Sequence, residues 1–153
     1  MFDLLRGLIR AAVAWIGGLL ATIVVLASGL ASSPESGLVT FLEAHAVVLG
    51  SESDPIWLAA IPAVAIGLVG FRTGSRLDTG PLGRLRASIA SVLGHEERHR
   101  RAALQRALYL AVGYAGLVAL STALVGGAVG ETALAALVIA SICGTVGTLV
   151  GVR

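Results

Sequence analysis

Residues 11–31 carry no charge, and neither do residues 56–71, 107–125 or 132–152. About 20 consecutive apolar residues is the length a helix needs to cross the roughly 30 Å hydrocarbon core of a bilayer. A helix is the form that keeps every peptide group bonded within its own segment when no water is present. The second stretch is the shortest and reaches full length only by borrowing Asp54, Pro55 and a few residues beyond Phe71. Composition agrees: 56% of the 153 residues are apolar and 13% charged, with a mean hydropathy of +0.91, outside the range of soluble domains. The expectation is an all-α integral membrane protein of one domain, residues 1–153. It has four transmembrane helices (about 11–31, 56–71, 107–125 and 132–152), an outer loop at 32–55 and a cytoplasmic loop at 72–106.

Charge placement orients these spans. Arg6 and Arg10 precede the first, eight arginines from Arg72 to Arg106 lie between the second and third, and Arg153 follows the fourth. With four crossings all eleven fall on one side, which the positive-inside rule makes cytoplasmic, together with both termini. The opposite segments hold Glu35, Glu43, Glu52, Asp54 and Glu131 and no basic residue. Arg6 and Arg10 before an apolar run also resemble a secretory leader. The run exceeds the usual leader core of about 7 to 15 residues, so it reads as a retained span. Cys143 is the only cysteine and lies in the fourth span, which excludes an intrachain disulfide.

Two loop segments carry helical patterning. After the first span, Ser33-Pro34-Glu35 has the form of a helix start. Leu38, Phe41, Leu42, His45, Val48 and Leu49 then share a face, while Ser36, Thr40 and Glu43 look elsewhere. This predicts a short helix lying in the outer interface or folding back on the spans. On the cytoplasmic side Pro81 opens a stretch in which Leu82, Leu85, Ile89, Val92 and Leu93 recur opposite Arg84 and Arg86. Arg84, Arg86, Leu85, Ile89 and Leu93 are therefore the candidate contacts to the membrane surface or to a partner protein.

The chemistry-bearing motif is His95-Glu96-Glu97-Arg98-His99, which matches the His-Glu-x-x-His signature of zinc proteases. There His95 and His99 would bind zinc and Glu96 would act as general base. A third ligand is not evident, since Glu131 falls across the membrane and only Asp78 remains, upstream. Glu97 and Arg98 are charged where that helix is normally buried. The segment has a simpler explanation: a helix beginning after Gly94 pairs Glu96 with Arg100 and Glu97 with Arg101 at the favourable i, i+4 spacing, as a solvated extension of the third span. His45 with Glu43, Glu52 and Asp54 offers a loose cation site, against the simpler reading of His45 as an interfacial or packing residue.

No Asp, Glu, Lys, Arg or His falls in the middle of a span, which argues against an ion-coupled carrier. Thr22, Ser121, Thr122, Ser141, Thr145 and Thr148 are expected to bond backbone, and Pro62 could kink the second span. Small residues recur at helical spacing, and Gly18, Gly67, Ala115, Ala119, Gly127, Gly144, Gly147 and Gly151 are the candidate helix-packing positions.

The stretch GLVTFLEAHAVVLG after the first span resembles an uncharacterised family of small multi-span membrane proteins of halophilic archaea, with Phe41, Ala44 and His45 matching and Glu43 and Ala46 departing from the usual amide and aromatic. The resemblance implies a four-span fold and no known activity. The function expected is that of a non-enzymatic, multi-pass cell-membrane protein, a structural or accessory subunit of a membrane assembly. Its partners are the lipid bilayer and copies of itself or other membrane subunits, with no cofactor and no nucleic acid. The alternatives are an oligomeric channel or carrier for a small solute and, more remotely, a zinc metalloprotease using His95, Glu96 and His99.

Overall fold

A computed structural model describes residues 2–29, 36–46, 60–75 and 96–151. Their regular structure is entirely helical: α1 Phe2–Ala27, α2 Gly37–Ala46, α3 Ala60–Ser75, α4 Glu96–Val125 and α5 Val129–Gly151. Leu4–Ala27 of α1, Arg101–Val125 of α4 and Val129–Gly151 of α5 are each long and apolar enough to cross a membrane. At 1.5 Å per residue they run about 35 to 38 Å. The described part of α3, with 16 residues, covers about 24 Å.

Helix ends follow local chemistry. α1 stops at Ala27, short of the expected residue 31, because Gly29 turns to a φ of +72° and Ser28 Oγ donates to the Val25 carbonyl at 2.8 Å. The same kind of stop ends α4. Gly126 has a φ of +81°, its N–H donates to Ala123 O at 3.3 Å and the Gly127 N–H to Thr122 O at 3.0 Å, the paired bonds of a Schellman cap. Gly127 therefore belongs to the α4–α5 turn, away from the helix–helix packing expected of it, and a Cβ there would meet Thr122 Cγ2 at 2.9 Å. Gly126→Ala is expected to cost about 1 kcal/mol, the penalty of a side chain in the left-handed region, read as a lowered unfolding midpoint in detergent.

Close approaches between helices set their directions. Gly7 lies against Tyr109 while Gly113 lies against Leu8 and Ala11, so α1 and α4 run parallel. Gly67 meets Gly147, Gly70 meets Gly144 and Thr148, and Gly74 meets Thr148 and Gly151, so α3 and α5 are parallel too. α4 and α5 form an antiparallel hairpin, and α3 packs against both α5 and α1. The result is a ring in the order α1, α4, α5, α3. One end collects Arg6, Arg10, Arg72, Arg101 and Arg106, and Glu131 stands in the first turn of α5 at the other.

Side-chain size is distributed opposite to that of a soluble protein. The interior holds Ala11, Ala14, Ala103, Ala107, Ala111, Ala135, Ala136 and Ala140, whereas Val24, Leu68, Leu120, Leu124 and Ile142 point outward, Leu124 at 80% exposure. Outward leucine and valine on every long helix are stable in lipid, and small inward residues let backbones approach. Ala115 packs against the core, and Ala119 is half-buried. Pro62, expected to kink its helix, lies near the start of the described part of α3.

Candidate functional site

α2 is not laid along a membrane surface; it folds back into the ring. Ser36 caps it, its Oγ accepting from the Val39 N–H at 3.4 Å, with Gly37 as the first helical residue. The start signal at Ser33 lies outside the described residues. α2 packs chiefly on α1 and α5, and touches α3 and α4. Gly37 abuts Ile23, where a Cβ would be 2.8 Å from Cγ1. One turn on, the Phe41 ring fills the notch of Gly18, where a Cβ would stand 2.8 Å from Cε2. Thr40, expected to face away, is buried together with Phe41, Leu42, Ala44 and His45. Val48 and Leu49 lie outside the described residues.

This path carries His45 to Tyr114, near the middle of the Arg101–Val125 stretch of α4. Both side chains have 0% exposure. The His45 Nδ1 lies 2.9 Å from the Phe41 carbonyl oxygen, and Nε2 lies 3.0 Å from the Tyr114 hydroxyl. A carbonyl only accepts, so Nδ1 carries the proton. In the neutral ring Nε2 is then an acceptor, and Tyr114 donates to it. Burial pushes His45 down from 6.5 to about 4, opposed by its hydrogen bonds to the backbone at Phe41 and Leu42, so the neutral form is the one present at physiological pH.

Aromatic rings continue the centre across three helices. Phe41 meets His45 edge-on at 5.0 Å and 89°, Trp15 meets Phe41 at 6.0 Å and 87°, and His45 and Tyr114 tilt together at 5.7 Å. The two contacts of Phe41 are favourable edge-to-face geometries. Trp15 Nε1 is buried and has no hydrogen-bond partner among the described residues.

Chemically, the arrangement is a closed polar pair. Both nitrogens of His45 are engaged, which leaves no lone pair for a metal, and Glu52 and Asp54, the other members of the loose cation site, lie outside the described residues. Among the described residues no three His, Cys, Asp or Glu gather as a ligand set. The described part of α4 opens at Glu96 and is helical through the rest of the motif. His95 lies outside the described residues, as do Arg84, Arg86, Leu85, Ile89 and Leu93. Four further buried hydroxyls turn back on their own helices. Thr22 donates to Gly18 O at 3.0 Å, Thr73 to Val69 O at 2.7 Å, Thr122 to Val118 O at 2.9 Å and Thr148 to Gly144 O at 2.6 Å.

Sequence reading finds His45 but not its partners. One signal was available: tyrosine favours the membrane–water interface, and Tyr114 is placed far from either end of its stretch. Comparison with known protein families, with curated proteins and with solved structures finds no match to this chain.

Proposed function

We propose that this chain is a non-enzymatic membrane protein that serves as a structural or accessory subunit of an assembly within the bilayer, joining copies of itself or other membrane subunits. In this reading α3 is a fourth crossing, the arginine-bearing end is cytoplasmic, and α2 dips in from the outer side and is latched by His45 and Tyr114. The observation that carries it is the sealed interior. Buried hydroxyls on α1, α3, α4 and α5 bond their own backbone, and the polar pair is satisfied by its own bond and by the Phe41 carbonyl. A pore would need those groups to face a continuous path.

Lateral assembly is supported by an open apolar groove of about 600 Å³ between α3 and α5, lined by Ala63, Gly67, Cys143, Val146 and Gly147 among others. Small residues in such a groove allow a further helix to approach closely, which is a main source of association in lipid. Labelled chains reconstituted in liposomes are expected to keep energy transfer between copies, or between copy and co-purified subunit, on dilution with excess lipid. A monomer at every dilution, with no protein co-purifying from native membranes, would overturn the reading.

A further inference from the structure

α2 is held in the ring by a donor matched to an acceptor, and a single proton undoes the match. α1, α3, α4 and α5 contact one another directly around the ring, so they stay packed without α2. The apolar face of α2, formed by Leu38, Phe41 and Leu42, is satisfied by lipid at a membrane interface as well as by protein. His45 is different, because its ring is engaged at both nitrogens. Nδ1 donates to the Phe41 carbonyl at 2.9 Å, and Nε2 accepts from Tyr114 at 3.0 Å. A proton added at Nε2 sets donor against donor. The Tyr114 hydroxyl accepts only by turning its own proton away, and among the described residues it has no second hydrogen bond. The added charge also stands at 0% exposure, where an unpaired ion is costly.

His45 has no ion pair among the described residues. Arg10 of α1 and Arg72 of α3 line the groove between those two helices and are themselves cations. On α4, Arg106 lies eight residues from Tyr114, about 12 Å along the helix. On α5, Glu131 stands in the first turn and Cys143 lines the groove towards α3. Glu43, two residues along α2 itself, is on a different side of that helix. We propose that the contact of His45 with Tyr114 is an acid-sensitive latch, and that protonation of His45 releases α2 from the ring while the other helices stay packed. A released His45 takes up its proton near 6.5, whereas the docked one, lowered by burial, does so at about 4. Docking is therefore full above pH 6.5 and weakens about tenfold per pH unit as pH falls towards 4. Such a latch works whether or not the chain joins an assembly.

Hydrogen–deuterium exchange of the full chain in lipid nanodiscs tests it, read by segment in steps of about one pH unit across this window and corrected for the intrinsic exchange rate. Protection of Gly37–Ala46 is expected to fall about tenfold per unit below pH 6.5. It should remain lower than that of Arg101–Val125 throughout, the mark of local release without unfolding of the ring. Glu43→Gln, which removes the other titratable group of α2, should leave the fall in place. His45→Gln, whose amide oxygen can accept from Tyr114 and does not titrate, should remove it. The proposal is overturned if α2 protection in the parent chain is independent of pH, if α2 exchanges only as fast as Arg101–Val125, if Glu43→Gln removes the fall, or if His45→Gln retains it.

Discussion

Gly147→Leu is expected to lower stability by about 3 kcal/mol, at the upper end of overpacking penalties. A Cβ at this position would fall onto the carbonyl oxygen of Gly67 and close to the backbone nitrogen of Phe71. The obstacle is main chain, so no rotamer change relieves it, and α3 has to move away from α5. Gly74 and Gly70 make the same kind of approach to Thr148 and Gly144, so alanine at either is expected to cost about 1 to 3 kcal/mol. Gly116→Ala on α4 is the control. Nothing lies within 4 Å of a Cβ there, and alanine should stabilise the helix by up to about 1 kcal/mol. Reversible unfolding in mixed detergent micelles measures all four. Equal effects at Gly147 and Gly116 would mean that α3 and α5 do not meet through backbone.

His45→Ala is expected to cost about 3 kcal/mol, combining a cavity beside Phe41 with a buried Tyr114 hydroxyl left without its acceptor. Tyr114→Phe keeps the packing and orphans only the Nε2 lone pair, so about 1 kcal/mol is expected, in line with interhelical hydrogen bonds in membranes. His45→Leu combined with Tyr114→Phe removes both polar groups and should recover much of the loss. Simple additivity of His45→Leu and Tyr114→Phe in that double variant would show that the two side chains are not coupled.

The same pair predicts a pH dependence. His45 titrates at about 4 in the folded chain against 6.5 ordinarily, so the unfolded chain takes up the proton first. Stability is therefore full above pH 6.5 and falls as pH drops from 6.5 towards 4, by roughly 3 kcal/mol over the window. The double variant should lack this component when compared with the parent chain. Equal pH profiles for the two would remove His45 as the source.

Much of this architecture is written in the linear pattern. The uncharged stretches mark α1, α4 and α5 because hydrocarbon tolerates no charge and no unbonded peptide group, a condition each residue meets or fails alone. The six-residue GGAVGE segment forces the α4–α5 hairpin, and the distribution of arginines foretells that Arg10, Arg72 and Arg101 share an end. Spacing also marks Gly67, Gly144 and Gly147 as places where helices could approach, although Gly7, Gly70, Gly74 and Gly113 escape notice. In a chain this rich in alanine and glycine, helical spacing does not single out the face that meets another helix.

The course of α2 is where linear reading stops. Its amphipathic pattern is equally consistent with lying on a membrane surface and with folding inward, because an apolar face is satisfied by lipid or by protein alike. The choice depends on a notch at Gly18 that fits the Phe41 ring and on a hydroxyl at Tyr114, 69 residues from His45, within reach of its Nε2. Complementarity of shape and of donor with acceptor exists only between residues brought together in space. Local sequence therefore specifies which segments are helices and which are long and apolar enough to cross a membrane, while the packed chain selects the side of α2 that is buried and the partner of its histidine.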